Sequence, residues 1–137
     1  ERDADGPDIG PTQSLNLIHT DVVASNIVVT QNGPKLIDWQ CPALGDPCED
    51  LASFLSPAMQ CLYGNPPLSD PEVQTFLDAY PNKNTVQRYR LLAPLFHQRI
   101  AAYCLWKSEQ GDLDYADAMQ LELSAIDHIE RHKEHAG

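Results

Sequence analysis

Three oxygen-bearing side chains, Asp21, Asn26 and Asp38, interrupt an otherwise apolar stretch of the chain. Each of them costs free energy when it leaves water, so a plain buried strand does not explain their presence. A carboxylate can accept a proton, while a carboxamide and a second carboxylate supply the oxygen ligands that Mg²⁺ prefers. Phosphoryl transfer needs such parts, because a group must orient the attacking hydroxyl and a metal must neutralise charge on the phosphate. Taken singly, each residue could instead serve a turn or a strand edge.

A β-hairpin over residues 26–39 would bring these side chains together. The segment NIVVT is rich in β-branched residues, and the segment KLIDW is typical of a second strand. Between them, Asn32-Gly33 is a strong two-residue turn signal. Because the two ends of a hairpin lie opposite its turn, we expect the three side chains to meet at the open end.

After this hairpin, the sequence predicts a loop that includes residues 43–45 and then a helix. Asp46 is a good N-cap, Pro47 suits the first helical position, and Glu49 has the spacing of a capping box. The helix should end near Leu55, where a Ser-Pro pair follows. Helix capping alone would also account for Asp46.

Three further helices are predicted from apolar residues that recur at the helical period. They run from about Pro71 to Tyr80, from a cap at Thr85, and from about Leu113 to Lys133. Pro94 lies inside the second of them and predicts a kink or a break. The expected fold class is therefore α+β, mostly α, with a small β-hairpin followed by a helical bundle.

The net charge of the chain limits the classes of partner that we expect it to bind. Nine Lys and Arg residues stand against 20 Asp and Glu residues, which gives a net charge of −11. Such a surface repels phosphate backbones, so we expect no nucleic-acid partner. The acidity suits a cationic small substrate or a metal ion, although it could serve solubility alone.

The remaining bulk features indicate a cytoplasmic protein with no membrane partner. The apolar runs are shorter than the roughly 20 residues that a membrane-spanning helix needs. The four cysteines lack zinc-site spacing and are expected to be reduced thiols, with a disulfide or a zinc site as the alternative. Residues 1–14 are polar and rich in Gly and Pro, and we expect a flexible segment there.

Three sequence motifs resemble those of the aminoglycoside phosphotransferase and choline kinase family, which is distantly similar to protein kinases. HTDVVASN has the family's H-x-D-x-x-x-x-N spacing, and LIDWQCPALGDPCEDLA follows it as the family's I-D-W-E and G-D-P-x-x-D-L-A motifs do. The resemblance covers residues 15–55 by motif and the helical remainder by the order of elements. It implies a protein-kinase-like C-lobe over residues 15–137.

The resemblance implies a role for each matched residue. Asp21 would be the catalytic aspartate, and Asn26 and Asp38 would bind Mg²⁺ beside ATP. The residues that would support the catalytic loop are His19, Asp46 and Asp50. Read alone, His19 would be a satisfied core histidine and Asp50 a solvated helix residue.

The chain departs from the family pattern at two positions. Thr20 replaces the usual Gly, and Gln40 replaces the usual Glu. A threonine is expected to require an ordinary backbone conformation, where Gly would tolerate a positive φ. Gln40 removes a negative charge beside the expected metal site.

The acceptor in such a family binds between the catalytic loop and the C-terminal helices. The acidic bias favours an amine-bearing small molecule similar to an aminoglycoside or choline. The candidate contacts are Trp106, Glu109 and Asp112, with Asp114 and Asp117 nearby. An acidic stretch at a helix start is also favourable to the helix dipole by itself.

A nucleotide-binding N-lobe is expected to be absent from this chain. No Gly-rich loop occurs, and no lysine precedes Lys35. The chain would then be a C-lobe that is inactive alone, with an exposed face open to the missing lobe or to self-association. The alternatives are a non-catalytic kinase-like binding fragment and a plain helical structural domain. The sequence does not decide between ATP and GTP.

Overall fold

The computed structural model describes Gly10 and residues 15–136. Within these residues the fold is α+β and mostly helical. The strands are β1 (Asn16–Ile18), β2 (Ile27–Thr30), β3 (Gly33–Leu36) and β4 (Ala43–Gly45). The helices are α1 (Cys48–Leu55), α2 (Pro57–Leu62), α3 (Asp70–Ala79), α4 (Lys83–Glu109) and α5 (Asp114–His135), and a 3₁₀ turn (Ala24–Asn26) precedes β2. Apart from Gly10, the segment predicted to be flexible, residues 1–14, lies outside the described residues.

The predicted hairpin is formed by β2 and β3, with its turn one residue earlier than expected. Ile27 pairs with Leu36, and Thr30 pairs with Gly33 in an antiparallel register. The turn residues are therefore Gln31 and Asn32, not Asn32 and Gly33. Gly33 has a φ of 100°, which a residue without Cβ adopts at low cost. The glycine thus starts β3 instead of ending the turn.

A second two-stranded sheet joins β1 to β4, although residues 43–45 were predicted as loop. Ile18 pairs with Ala43, and Asn16 pairs with Gly45. A Cβ on Gly45 would lie 2.7 Å from Ile18 Cδ1, so the Ile18 side chain would have to shift to admit any other residue there. The pairing places the start of β1 opposite the end of β4, and Asp50 of α1 accepts the N–H groups of the two residues that follow β1.

Helix α1 begins two residues after Asp46. The Asp46 Oδ1 oxygen accepts the Cys48 N–H at 3.0 Å, and Arg88 Nε lies 2.5 Å from the other carboxylate oxygen. Burial opposes ionisation of Asp46, but its bonds to Arg88 and Cys48 outweigh burial and lower its pKa. The Glu49 carboxylate lies 3.6 Å from Arg99 and does not complete the expected capping box. Asp46 therefore supports the start of α1.

Helix α2 was not predicted, because the Ser56-Pro57 pair was interpreted only as a stop. Ser56 ends α1 and also caps α2, since its side chain accepts the Met59 N–H at 3.1 Å. Pro57 occupies the first turn of α2, where its missing N–H is not needed.

Helix α4 is continuous through Pro94, so a break at this residue is wrong, and the alternative of a kink stays a prediction. Its cap is also different, because Asn82 and not Thr85 accepts the amides of the first turn. An internal proline costs about 3 kcal/mol, but α4 packs against both α1 and α5. We attribute the continuity of the helix to this packing on two sides.

The core consists of two apolar clusters. The first joins α1, α3 and α4, and the second joins α2, α4 and α5. A buried polar group lies among the helices, where the Glu122 carboxylate accepts hydrogen bonds from the Ser56 hydroxyl and the Ala58 N–H. The other Glu122 oxygen lies 2.5 Å from His97 Nδ1. This Glu122 knot connects α5 to α4 and to the α1–α2 junction. Across the described residues, no helix is both long enough and apolar enough to cross a membrane.

Candidate active site

The loop between β1 and β2, residues 19–26, holds Asp21 against Asn26; we name it the HTD loop. Asn26 Nδ2 donates to the Asp21 carbonyl oxygen at 3.0 Å and to Asp21 Oδ2 at 3.2 Å. Two acceptors on the nitrogen fix the orientation of the amide, so Asn26 Oδ1 faces away from them. Asp21 itself is exposed. The site therefore presents a solvent-accessible carboxylate beside a buried carboxamide.

Asp50 braces the HTD loop from the first turn of α1. Its Oδ2 accepts the His19 backbone N–H at 2.8 Å, and its Oδ1 accepts the Thr20 N–H at 2.9 Å. The two oxygens of the Asp50 carboxylate thus accept hydrogen bonds from the backbone amides of two consecutive residues. An anion at the start of a helix is also favoured by the helix dipole. The geometry joins the loop to a rigid helix.

His19 is buried, and both of its ring nitrogens are engaged. Its Nε2 donates to the Ile37 carbonyl at 2.8 Å, since a carbonyl can only accept. Its Nδ1 accepts the Asp21 N–H at 3.2 Å. The pattern requires the neutral tautomer with the proton on Nε2. Two hydrogen bonds from one buried ring suit a supporting residue rather than a proton carrier.

Asp38 lies beside the HTD loop because its preceding residue is bonded to that loop twice. The Ile37 N–H donates to the Asn26 carbonyl at 2.9 Å, and the Ile37 carbonyl accepts from His19. Asp38 follows with an exposed side chain and a φ of 61°. We name residues 37–41 the Asp38 segment. Trp39 is 46% exposed and contacts the His19 ring.

Two non-glycine residues with positive φ occur among the described residues, and both belong to this site. Thr20 has a φ of 72° and Asp38 a φ of 61°. Asp adopts this region with some ease, but a β-branched residue does so at a cost of order 1–3 kcal/mol. The expectation of an ordinary backbone at Thr20 is therefore wrong. Such strain persists where surrounding bonds hold it in place.

The oxygen donors of the site fit a hard cation that also binds phosphate. In the part of the chain that the structure describes, no group of three His, Cys, Asp or Glu side chains could hold a metal. Asn26 Oδ1 and the Asp38 carboxylate remain as donors at the site. Mg²⁺ typically takes one or two protein carboxylates and completes its shell with water and phosphate oxygens. These two residues therefore supply the kinds of oxygen atom that Mg²⁺ prefers.

The residues predicted to contact the acceptor lie at the far end of α4 and in the turn that follows. Trp106 is 53% exposed, and Glu109 and Asp112 are also exposed. The Tyr103 ring lies 6.1 Å from the Trp106 ring and 6.0 Å from the Tyr115 ring. Trp106 therefore belongs to an aromatic group that the structure assembles from α4 and α5.

The aromatic group extends toward the HTD loop through Tyr63. Partial burial raises the pKa of Tyr63, and the charges of Asp21 and Tyr103 raise it further. Tyr63 is thus within electrostatic range of both the loop and α4. We name Tyr63, Tyr103, Trp106 and Tyr115 the aromatic cluster. Sequence reasoning missed its tyrosines, although the i, i+3 spacing of Tyr103 and Trp106 was a usable signal.

Comparison with known proteins gives one informative result. A family model described as the phosphotransferase enzyme family (APH) matches residues 2–95, which is more than half of the chain. Searches of the curated proteins and of the solved structures gave no significant match. The matched range includes the HTD loop, the Asp38 segment and α1. The match confirms the resemblance to the aminoglycoside phosphotransferase and choline kinase family. The chain therefore belongs to the phosphotransferase enzyme family.

Proposed function

We propose that this chain is the C-terminal lobe of a kinase-like phosphotransferase that transfers the γ-phosphate of ATP to a hydroxyl of a small molecule. The observation that carries the proposal is the Asp21–Asn26 pair, braced by Asp50 and adjacent to Asp38. Family membership supports the reaction class. The arrangement supports an assignment of roles to individual residues.

In the proposed reaction, Asp21 orients the acceptor hydroxyl and receives its proton. The hydroxyl oxygen forms a bond to the γ-phosphorus, and the bond from phosphorus to the β,γ-bridging oxygen breaks, so that ADP leaves. Asn26 Oδ1 and the Asp38 carboxylate would hold Mg²⁺. Bound there, the ion supplies neutralisation of the charge on the phosphate oxygens. His19 and Asp50 act as positioning residues, because they hold the loop and touch neither reactant.

We assign acceptor binding to the surface between the HTD loop and the aromatic cluster. The Lys107 ammonium lies 5.7 Å from the Trp106 ring centre and 5.8 Å from that of Tyr115. An ammonium group of the chain itself is therefore accommodated by these rings through cation–π attraction. An amine of the acceptor could take this place only if Lys107 moved away, while the net charge of −11 favours an amine-bearing acceptor. Glu109 and Asp112 would add negative charge near that amine.

We further propose that a nucleotide-binding lobe outside residues 15–137 covers the sheet side of this lobe. Leu17 and Leu44 face each other in the β1–β4 sheet and are 65% and 72% exposed. Val29 of the hairpin is 83% exposed. Apolar side chains this exposed, with Leu17 and Leu44 paired on one sheet, are typical of a surface that another body covers. Self-association through this face is the alternative.

The test is a calorimetric titration of ATP with Mg²⁺ into the chain, with and without Asp38→Ala. Magnesium-dependent binding should weaken at least tenfold in the variant, because one carboxylate ligand is lost. Asp127→Ala, which removes an exposed aspartate of α5, is the matched control and should bind as the wild type does. Equal binding by the wild type and by Asp38→Ala would overturn the metal role. Binding without any phosphate transfer to amine-bearing alcohols, even with an added nucleotide lobe, would favour a non-catalytic binding fragment.

A further inference from the structure

We infer that Thr20 is a positioning residue that ties the HTD loop to the Asp38 segment and so sets where Asp38 stands relative to Asp21. The inference rests on the proposed function for its consequence, but the tie itself is a feature of the fold. The Thr20 hydroxyl donates to the Cys41 carbonyl at 2.8 Å. This bond joins the residue before Asp21 to a residue three positions after Asp38.

The bond from Thr20 to Cys41 holds the C-terminal end of the Asp38 segment. The N-terminal end of that segment is already bonded to the HTD loop. Ile37 is bonded to the HTD loop through its N–H and its carbonyl, with Asn26 and His19 as partners. Cys41 is bonded to the same loop through Thr20. The residues between these two points are exposed and lie outside the regular strands. Without the threonine hydroxyl, the HTD loop would hold the Asp38 segment only near its start, through the two bonds of Ile37 and the contact of Trp39 with the His19 ring.

The backbone at Thr20 shows that the hydroxyl is present for a reason other than conformation. A φ of 72° is the left-handed region, where glycine is free of strain and a β-branched side chain is not. Glycine would satisfy the bond from the Thr20 N–H to Asp50 equally well. What glycine cannot supply is the hydroxyl that reaches Cys41. The strained threonine is therefore best explained by the tie.

The consequence concerns metal binding and the mobility of the segment more than overall stability. Loss of the tie frees the Asp38 carboxylate to move relative to Asn26 Oδ1. The affinity for Mg²⁺ with ATP should then fall roughly three- to tenfold, the change that loss of one hydrogen bond produces. Amide hydrogen exchange in residues 37–41, which include the Ile37 N–H that is bonded to Asn26, should accelerate by a similar factor.

Three variants of Thr20 distinguish the effect of losing its hydroxyl from the effect of relieving its backbone strain. Thr20→Val removes the hydroxyl and keeps the β-branched shape, Thr20→Gly removes the hydroxyl and the strain together, and Thr20→Ser keeps the hydroxyl. We expect Val and Gly to accelerate exchange in residues 37–41 and to weaken Mg²⁺ binding measured by calorimetry with ATP. Ser should stay within twofold of the wild type in both measurements. Thr20→Gly should unfold no more easily than the wild type, so it carries the test if the valine variant folds poorly.

The outcomes are distinguishable from failure of the proposed function. Unchanged exchange in the glycine and valine variants would overturn the tie, whatever the metal does. Accelerated exchange with unchanged Mg²⁺ affinity, while Asp38→Ala still abolishes that affinity, would overturn the positioning role and leave the function intact. If Asp38→Ala also leaves Mg²⁺ affinity unchanged, the proposed metal role fails, and the exchange data alone judge the tie.

Discussion

Replacement of Asp50 by Asn tests the brace that holds the HTD loop. The carboxylate accepts the His19 N–H at 2.8 Å and the Thr20 N–H at 2.9 Å. Hydrogen bonds to a charged group contribute about 1.5–3 kcal/mol each, and the partial exposure of Asp50 favours the lower end. Asparagine keeps one acceptor oxygen but turns an NH₂ group toward the second amide. We therefore expect the free energy of unfolding to fall by about 1.5–3 kcal/mol.

The assay is urea denaturation followed by circular dichroism, with Asp127→Asn on α5 as the matched control. The control should lie within about 0.5 kcal/mol of the wild type, as surface substitutions usually do. A double-mutant cycle with Thr20→Gly sharpens the reasoning. The glycine needs less support for its positive φ, so Asp50→Asn should cost less in that background. An Asp50→Asn variant as stable as the control would refute the account of the brace.

Two further predictions concern the core. Glu122→Gln should lower the free energy of unfolding by about 2–4 kcal/mol in urea denaturation, because the buried His97 and Ser56 lose a charged partner; a loss below 1 kcal/mol would contradict this. Burial raises the pKa of Cys48 from 9.0 to about 12 and that of Tyr89 from 10.0 to about 12. Since both groups hold their protons more tightly when folded, the stability they contribute is complete below pH 9 and is lost as the pH rises toward 12. Denaturation across pH 7–11 should show this loss, and Cys48→Ala should reduce it; equal slopes for the variant and the wild type would contradict the role of Cys48.

Much of the site geometry could be predicted because its parts are close in sequence. Asp21 and Asn26 lie five residues apart in one loop, and a short hairpin returns the chain to Asp38. The turn was misplaced by one residue because Asn-Gly at Asn32 and Gly33 suits either a turn or a glycine that opens the next strand. The conformation of Thr20 was mispredicted because residue type alone argues against a positive φ, while two partners distant in sequence enforce it. The roles of these residues in catalysis remain predictions.

The features that were missed depend on distant partners. Strand β4 has three residues and no alternation to detect, so only its pairing with β1 defines it. Pro94 was expected to interrupt α4, but packing from two neighbouring helices outweighs one lost hydrogen bond. The aromatic cluster draws Tyr63, Tyr103 and Tyr115 from separate elements. Their approach follows from how the helices pack, which local patterns do not contain.

The Glu122 knot has a consequence for how the domain melts. Helix α5 cannot separate gradually from the rest of the fold. Its separation would remove Glu122 from the buried His97 and the buried Ser56 at the same time. The two apolar clusters are thereby linked through a single carboxylate. Thermal unfolding of this domain should accordingly be cooperative, with α5 lost in the same transition as α1, α2 and α4.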